Sequence, residues 1–167
     1  LKLFHSRNNY LPLIVWVGRP DTDPLSVAMQ KQMTQMIEAD KNLTKSVNFP
    51  GEIADVSQIY REVDGIIHMS TFEGLPNVIC EAMLSGCPVL ASDVCDHPLV
   101  LGSNGERGLI CDPLDPLQIC QLLESFFDMS IDEKANMVAR ARSFGKENFD
   151  IDNMAMQYLS LTKKVLS

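Results

Sequence analysis

Short apolar runs alternate along this chain with longer stretches whose apolar residues recur every three or four positions. Leu13–Val17 (LIVWV) is continuous, ends at Gly18, and predicts a strand buried on both faces. Gly65–Met69 (GIIHM) predicts another buried strand, and Pro88–Ala91 (PVLA) and Gly108–Cys111 (GLIC) read as strands too. Val47–Phe49 is a brief strand closed by Pro50-Gly51. Between them lie helix patterns: Pro24–Ala39, whose Met29, Met33, Met36 and Ile37 share one face and are expected in the core, then Ala54–Glu62 and Asn77–Ser85. Asp93–Arg107 reads as a loop. The rest is helical, over Pro116–Phe127, Ile131–Asn148 and Ile151–Leu166, and Leu1–Ser6 resembles the tail of a helix. The expected fold is therefore α/β and Rossmann-like: a parallel sheet with right-handed crossovers and helices on both faces.

The 167 residues are enough for one ordinary domain, and 46% apolar with 22% charged residues is a soluble globular composition. A net charge of −8 argues against nucleic acid or an anionic membrane as partner of this chain, because both need a basic surface. A small anion held by backbone amides is still compatible with it. The five cysteines, Cys80, Cys87, Cys95, Cys111 and Cys120, contain no Cys-x-x-Cys pair, so a reducing, cytoplasmic setting without a structural metal is expected. No apolar run reaches the roughly 18–20 residues of a membrane span.

In sheets of this kind ligands bind beyond the carboxyl ends of the strands. Gly18-Arg19-Pro20, Pro50-Gly51 and Ser70–Asn77 all fall at carboxyl ends and are expected to share one edge. The richest of them is STFEGLPNVICEAMLSGCPVLASD, residues 70–93. Glu73 ends a strand, Gly74-Leu75-Pro76-Asn77 make the turn, and Glu81 lies one turn into the next helix. The first amides of a helix have no partner inside it and attract anions. Two flanking carboxylates would repel a bare phosphate, whereas hydroxyls at either end of a diphosphate would suit them. A nucleotide-sugar has that layout.

The same order of residues resembles the C-terminal, donor-binding domain of the retaining glycosyltransferases of the GT-B fold, the large group often called glycosyltransferase family four or group 1. Glu73 and Glu81 match the family's Glu-x7-Glu element, and Gly74, Leu75, Ala82, Gly86, Pro88, Val89 and Asp93 match its flanks. Phe49-Pro50-Gly51, EVDGIIHMS and GERGLICDPLDPLQICQLL are similar to the family's remaining landmarks, so the likeness runs through nearly the whole chain. It implies that Glu73 contacts the transferred sugar or lies by the reacting centre, and that Glu81 takes the ribose hydroxyls. Backbone amides of Leu75, Asn77 and Val78 would approach sugar and diphosphate, with Pro76, which has no N–H, shaping the turn. Glu81 stands about 6 Å along the helix from Asn77, a suitable offset for the far end of such a ligand. Gly51, Glu52 and Ile53 correspond to the nucleobase region, and Arg19 and Ser70 are secondary candidates.

Two departures bear on this. The family's diphosphate-neutralising Arg and Lys follow the first strand of the domain, which is expected to precede Leu1 together with an N-terminal acceptor domain; Gly18-Arg19 then belongs to the second strand. Many relatives carry Glu where this chain has Leu99. The reading is thus residues 1–167 as a single nucleotide-sugar-binding domain, inactive alone, from an enzyme moving a hexose from a nucleotide-sugar, UDP-sugar by family frequency, to a saccharide or lipid-linked acceptor in polysaccharide assembly. No cofactor and no metal are expected. The alternatives are another GT-B enzyme, such as a nucleotide-sugar epimerase, and a non-catalytic nucleotide- or protein-binding module.

Blander assignments apply elsewhere. Arg19 reads as a solvated loop residue, and His68 and His97 as satisfied interior histidines. Asp93 ties down a turn, and Ser70 and Thr71 bond their own backbone. The resemblance implies that the final helix packs back against the missing half, so its stripe of Ile151, Met154, Ala155, Tyr158, Thr162, Val165 and Leu166 is expected to leave an apolar patch exposed.

Overall fold

A computed structural model describes residues 1–19, 22–103 and 105–166, the side chain of Leu166 excepted; Pro20 and that side chain, both named above, lie outside the described residues. The chain divides into two compact units, residues 1–56 and 57–167.

In residues 1–56, α1 (Lys2–Asn8) leads to β1 (Ile14–Val17), α2 (Pro24–Glu38), α3 (Lys41–Ser46) and β2 (Val47–Gly51). β1 and β2 pair in parallel, Ile14 opposite Val47 and Val17 opposite Gly51, and the register shifts between Val15 and Val17. That irregularity lets β2 run through Pro50, which has no N–H for a regular ladder, so the strand is longer than the sequence predicts. Gly51 ends it at φ 83°, a conformation a side chain disfavours. α2 starts where Asp23 accepts from the Leu25 and Ser26 amides, with Pro24 in the first turn. α3 is an unpredicted helix: Asp40 caps it, but six residues burying only Leu43 and Ser46 are too few to show a period.

Two burial expectations fail in this unit. β1 is not buried on both faces, since Leu13 is 71% and Trp16 52% exposed. α2 contains no buried residue; Met29 and Met36 are exposed and Met33 and Ile37 partly so. Periodicity says which residues share a face, not whether a neighbour covers it, and a two-stranded sheet covers little. Phe4 and Leu43 are the buried apolar side chains here.

Residues 57–167 contain α4 (Val56–Glu62, its first residue from the preceding unit), β3 (Ile66–His68), α5 (Asn77–Ser85), β4 (Val89–Ser92), α6 (His97–Leu101), β5 (Leu109–Cys111), α7 (Pro116–Asp128), α8 (Ile131–Asn148) and α9 (Ile151–Leu166). The strands form a parallel sheet in the order β3-β4-β5, with Ile66 opposite Val89 and Leu90 opposite Leu109. Every residue of β4 is buried. β3 lies at one side of this sheet, and Ile67 is 42% exposed rather than buried as expected. α6 occupies part of the expected loop. Its five residues begin around Pro98, which reads as a break, yet they bury His97, Val100 and Leu101.

Ile79, Ala82 and Met83 of α5 join Val89, Leu90 and Ala91 of β4, and Leu122, Leu123 and Phe126 of α7, in the core. α8 opens with a reciprocal capping box between Ser130 and Glu133 and buries Met137, Ala141 and Gly145 at four-residue spacing. Gly145 lets it approach α5: a β-carbon there would come within 3.3 Å of Leu84. α9 leaves Ile151, Met154, Tyr158 and Val165 exposed, as its stripe predicts. Among the described residues no helix is long and apolar enough to cross a membrane.

Candidate functional site

The sequence-predicted residues fall into two groups. In residues 1–56, Gly51 ends β2 and Glu52 and Ile53 follow it, and Gly18, the residue before Arg19, donates its N–H to Gly51 O at 2.9 Å. Arg19 Nε lies 3.4 Å from Glu52 Oε1, both side chains well exposed. Such a surface pair contributes little stability. Arg19 is thus a solvated loop residue with one carboxylate neighbour.

The larger group lies in residues 57–167. β3 delivers Ser70 and Glu73, the turn Gly74–Pro76 follows, and α5 begins at Asn77, carries Val78 in its first turn and presents exposed Glu81 one turn on. Pro76 occupies the N-cap of α5 and supplies no side-chain cap. The amides of Ile79 and Cys80 reach Pro76 O at 3.1 and 3.4 Å; those of Asn77 and Val78 stand ahead of them. By contrast α2, α3, α7 and α8 are capped by Asp23, Asp40, Asp115 and Ser130. α5 therefore presents uncompensated N–H groups and the positive end of its dipole at the Glu73 turn.

Glu81 is held by a residue the sequence reading did not single out. Tyr60 of α4, 6% exposed, donates its hydroxyl to Glu81 Oε2 at 3.0 Å. Burial, reinforced by that carboxylate, raises the Tyr60 pKa far above its usual value, so the phenol stays a donor. A clue was available: a tyrosine on the apolar face of a helix needs a partner for its hydroxyl.

Behind Glu73 lies a chain of polar groups. His68 Nε2 is 3.6 Å from Glu73 Oε1 and 5.7 Å separates the His68 and His97 ring centroids. His97 is fully buried, and its Nδ1 donates to Ser92 O at 2.8 Å. Ser92 Oγ in turn accepts the Ser70 N–H at 3.2 Å, tying the exit of β3 to that of β4. The expectation that these side chains are satisfied is corrected: His68 Nε2, His97 Nε2 and Ser70 Oγ are buried without a hydrogen-bond partner among the described residues. Burial, and secondarily His97, lowers the His68 pKa against an opposing pull from Glu73. His68 is therefore neutral at neutral pH.

A shallow groove crosses the carboxyl ends of all three strands of this unit, lined by Thr71, Asp93, Val94, Asp112, Leu114 and Gln118. Asp93 ties this edge together by its backbone, donating to Cys111 O at 2.7 Å. The cysteines are free thiols; burial raises the pKa of Cys87 and of Cys111 to about 11, which leaves both unreactive. Among the described residues no cluster of three or more His, Cys, Asp or Glu side chains is placed to hold a metal ion.

A parallel α/β sheet whose strand-end turn opens an uncapped helix between two glutamates places free backbone donors at the edge where sheets of this kind bind ligands. Residues 8–128 match the family described as glycosyl transferases group 1, and the chain belongs to that family. Over 97 residues it is 35% identical to the O-antigen chain mannosyltransferase B of Escherichia coli, a stretch covering 56% of this chain and 25% of that protein. The chain thus spans only a quarter of that relative's length. Among solved structures, Anabaena Alr3699/HepE in complex with UDP superposes with a TM-score of 0.82 at 24% identity, over 97% of this chain and 44% of the other. The C-terminal domain of the group 1 family protein LpcC from Francisella tularensis gives 0.65 at 18% identity, over 89% and 92%. The fold is one half of the GT-B architecture.

Proposed function

We propose that this chain is the donor-binding half of a retaining glycosyltransferase of family four, which moves a sugar from a nucleoside diphosphate, UDP in the first instance, to a saccharide or lipid-linked acceptor. The observation that carries the reading is the start of α5, whose amides lack a side-chain cap, follow the Glu73 turn and lead to a Tyr60-held Glu81. Support comes from Alr3699/HepE, seen with UDP and with UDP-glucose on the same fold, and from the mannosyltransferase relative.

The amides of Asn77 and Val78 meet the negative charge that develops on the leaving diphosphate, and preorganised donors of this kind act without reorganisation during reaction. Glu81 accepts from the ribose hydroxyls and Glu73 from the transferred sugar. Amides and helix dipole, rather than a metal or cofactor, take up the charge. The acceptor site comes from a further domain of a longer protein, and this chain alone transfers nothing. Five free thiols suit a cytoplasmic setting.

Calorimetric titration of the intact protein with UDP, GDP and ADP tests the reading. One nucleotide is expected to bind saturably, and Glu81→Ala to weaken it at least tenfold, about 1.4 kcal/mol. Silence with all three overturns it. Tyr60→Phe is expected to weaken the same nucleotide by about fivefold, about 1 kcal/mol, because Glu81 loses the donor that holds it in place. An unchanged affinity would show that Glu81 needs no support from α4.

A further inference from the structure

Three buried polar atoms in one corner of residues 57–167 have no protein hydrogen bond among the described residues, and one of them faces Glu73. We propose that His68 is a positioning residue for Glu73: its Nε2–H donates to Glu73 Oε1 and fixes the carboxylate so that the second oxygen meets a hydroxyl of the donor sugar. The inference rests on the donor-binding reading and adds to it a residue that orients the sugar contact.

The geometry of the corner supplies the argument. A carbonyl oxygen only accepts, so the 2.8 Å contact with Ser92 O fixes the His97 proton on Nδ1 and immobilises that ring. His97 belongs to α6, is fully buried, and lies beside His68 with the rings tilted by 60° and their centroids 5.7 Å apart. Ser92 also takes the Ser70 amide, so the backbone just after His68 is anchored to β4. His68 is thereby held from behind, while its Nε2 has Glu73 as its charged neighbour in front.

A neutral imidazole carries one N–H, and a carboxylate opposite Nε2 draws the proton to that nitrogen. The 3.6 Å separation exceeds a hydrogen bond by a few tenths of an ångström. Hydrogen bonds of this kind are often long without substrate and tighten in the complex. Glu73, about a third exposed, is free to make that small move, whereas His68, the more buried partner, is not. At this position, flanked by Ile66 and Ile67, a leucine would pack without the unpaired nitrogen.

Two measurements on the intact protein decide the matter. Long-range proton–nitrogen NMR of the imidazoles is expected to show His68 as the Nε2–H tautomer and His97 as Nδ1–H. Glu73→Gln is expected to lower the His68 titration midpoint, because a carboxylate that favours the imidazolium has gone. A His68 spectrum indifferent to Glu73→Gln overturns the proposal, and this arm needs no ligand. In the second arm the affinities for UDP and UDP-glucose are compared. His68→Leu is expected to reduce the UDP-glucose to UDP affinity ratio about fivefold, with His68→Gln, which keeps an amide donor at similar reach, restoring most of it. Equal weakening of both probes in His68→Leu marks a structural role and overturns the proposal. Failure of either probe to bind the wild-type protein overturns the donor reading and the role given to His68, while the Glu73→Gln effect on the imidazole still reports the bond itself.

Discussion

Glu73→Gln in the intact protein is expected to slow sugar transfer by about a hundredfold or more while leaving the affinity for the bare nucleoside diphosphate within about twofold. The asymmetry follows from position. Glu73 ends the β3 exit, whereas the amides of Asn77 and Val78 and the Tyr60-held Glu81 lie at and beyond the start of α5. The introduced side-chain amide is nearly isosteric with the carboxylate but replaces one acceptor oxygen by a donor, so a sugar hydroxyl that donates to Glu73 loses its partner. A misplacement of about an ångström at a reacting centre costs on the order of a hundredfold, and an interaction made chiefly with the sugar leaves nucleotide binding untouched. Steady-state transfer assays beside nucleotide titration separate the two effects. Full activity in the Glu73→Gln enzyme would remove Glu73 from the chemistry.

Leu90→Ala is expected to destabilise the protein by about 3 kcal/mol, within the range for a buried leucine truncated to alanine. Leu90 is 1% exposed, lies in the middle strand of β3-β4-β5, and faces Leu109 and Ile67 across the two ladders. At about 2–4 °C per kcal/mol for a chain of this size, its melting temperature should fall by roughly 10 °C. Ile67→Ala is the matched control: Ile67 sits opposite Leu90 but is 42% exposed, so its truncation should cost less than about half as much. Equal losses would mean that β4 is not the buried centre of this sheet.

Much of this architecture was legible because its signals are local. Each apolar run that reads as a strand has glycine or proline at or beside one end and overlaps an observed strand: Leu13–Val17 contains β1 and Gly65–Met69 contains β3, whereas β2 and β4 run past the expected Val47–Phe49 and Pro88–Ala91. The glutamate turn was legible for the same reason, since Glu73, Asn77 and Glu81 lie within nine residues of sequence. What escaped depends on distance along the chain. Tyr60 and Glu81 are 21 residues apart and meet only because α4 and α5 flank β3. His68 and His97 approach because β3 and β4 lie side by side, a pairing that neither histidine's own neighbourhood reveals. α3 and α6 are shorter than two helical turns and so carry too little periodicity to be read. The exposure of Trp16, Ile67 and Met29 was hidden for another reason: an apolar run records what a surface is made of, not what lies on it.

The bare N-terminus of α5 sets two selective pressures against each other at one residue. Serine or aspartate in place of Pro76 would cap the helix and add about 1 kcal/mol to the fold. The same side chain would occupy the amides of Asn77 or Val78, and aspartate would bring a charge that repels phosphate. A lineage selected only for sturdiness would drift toward a capped helix, and one that must seat an anion there cannot. Proline, which fixes the backbone and offers no acceptor of its own, keeps that door open.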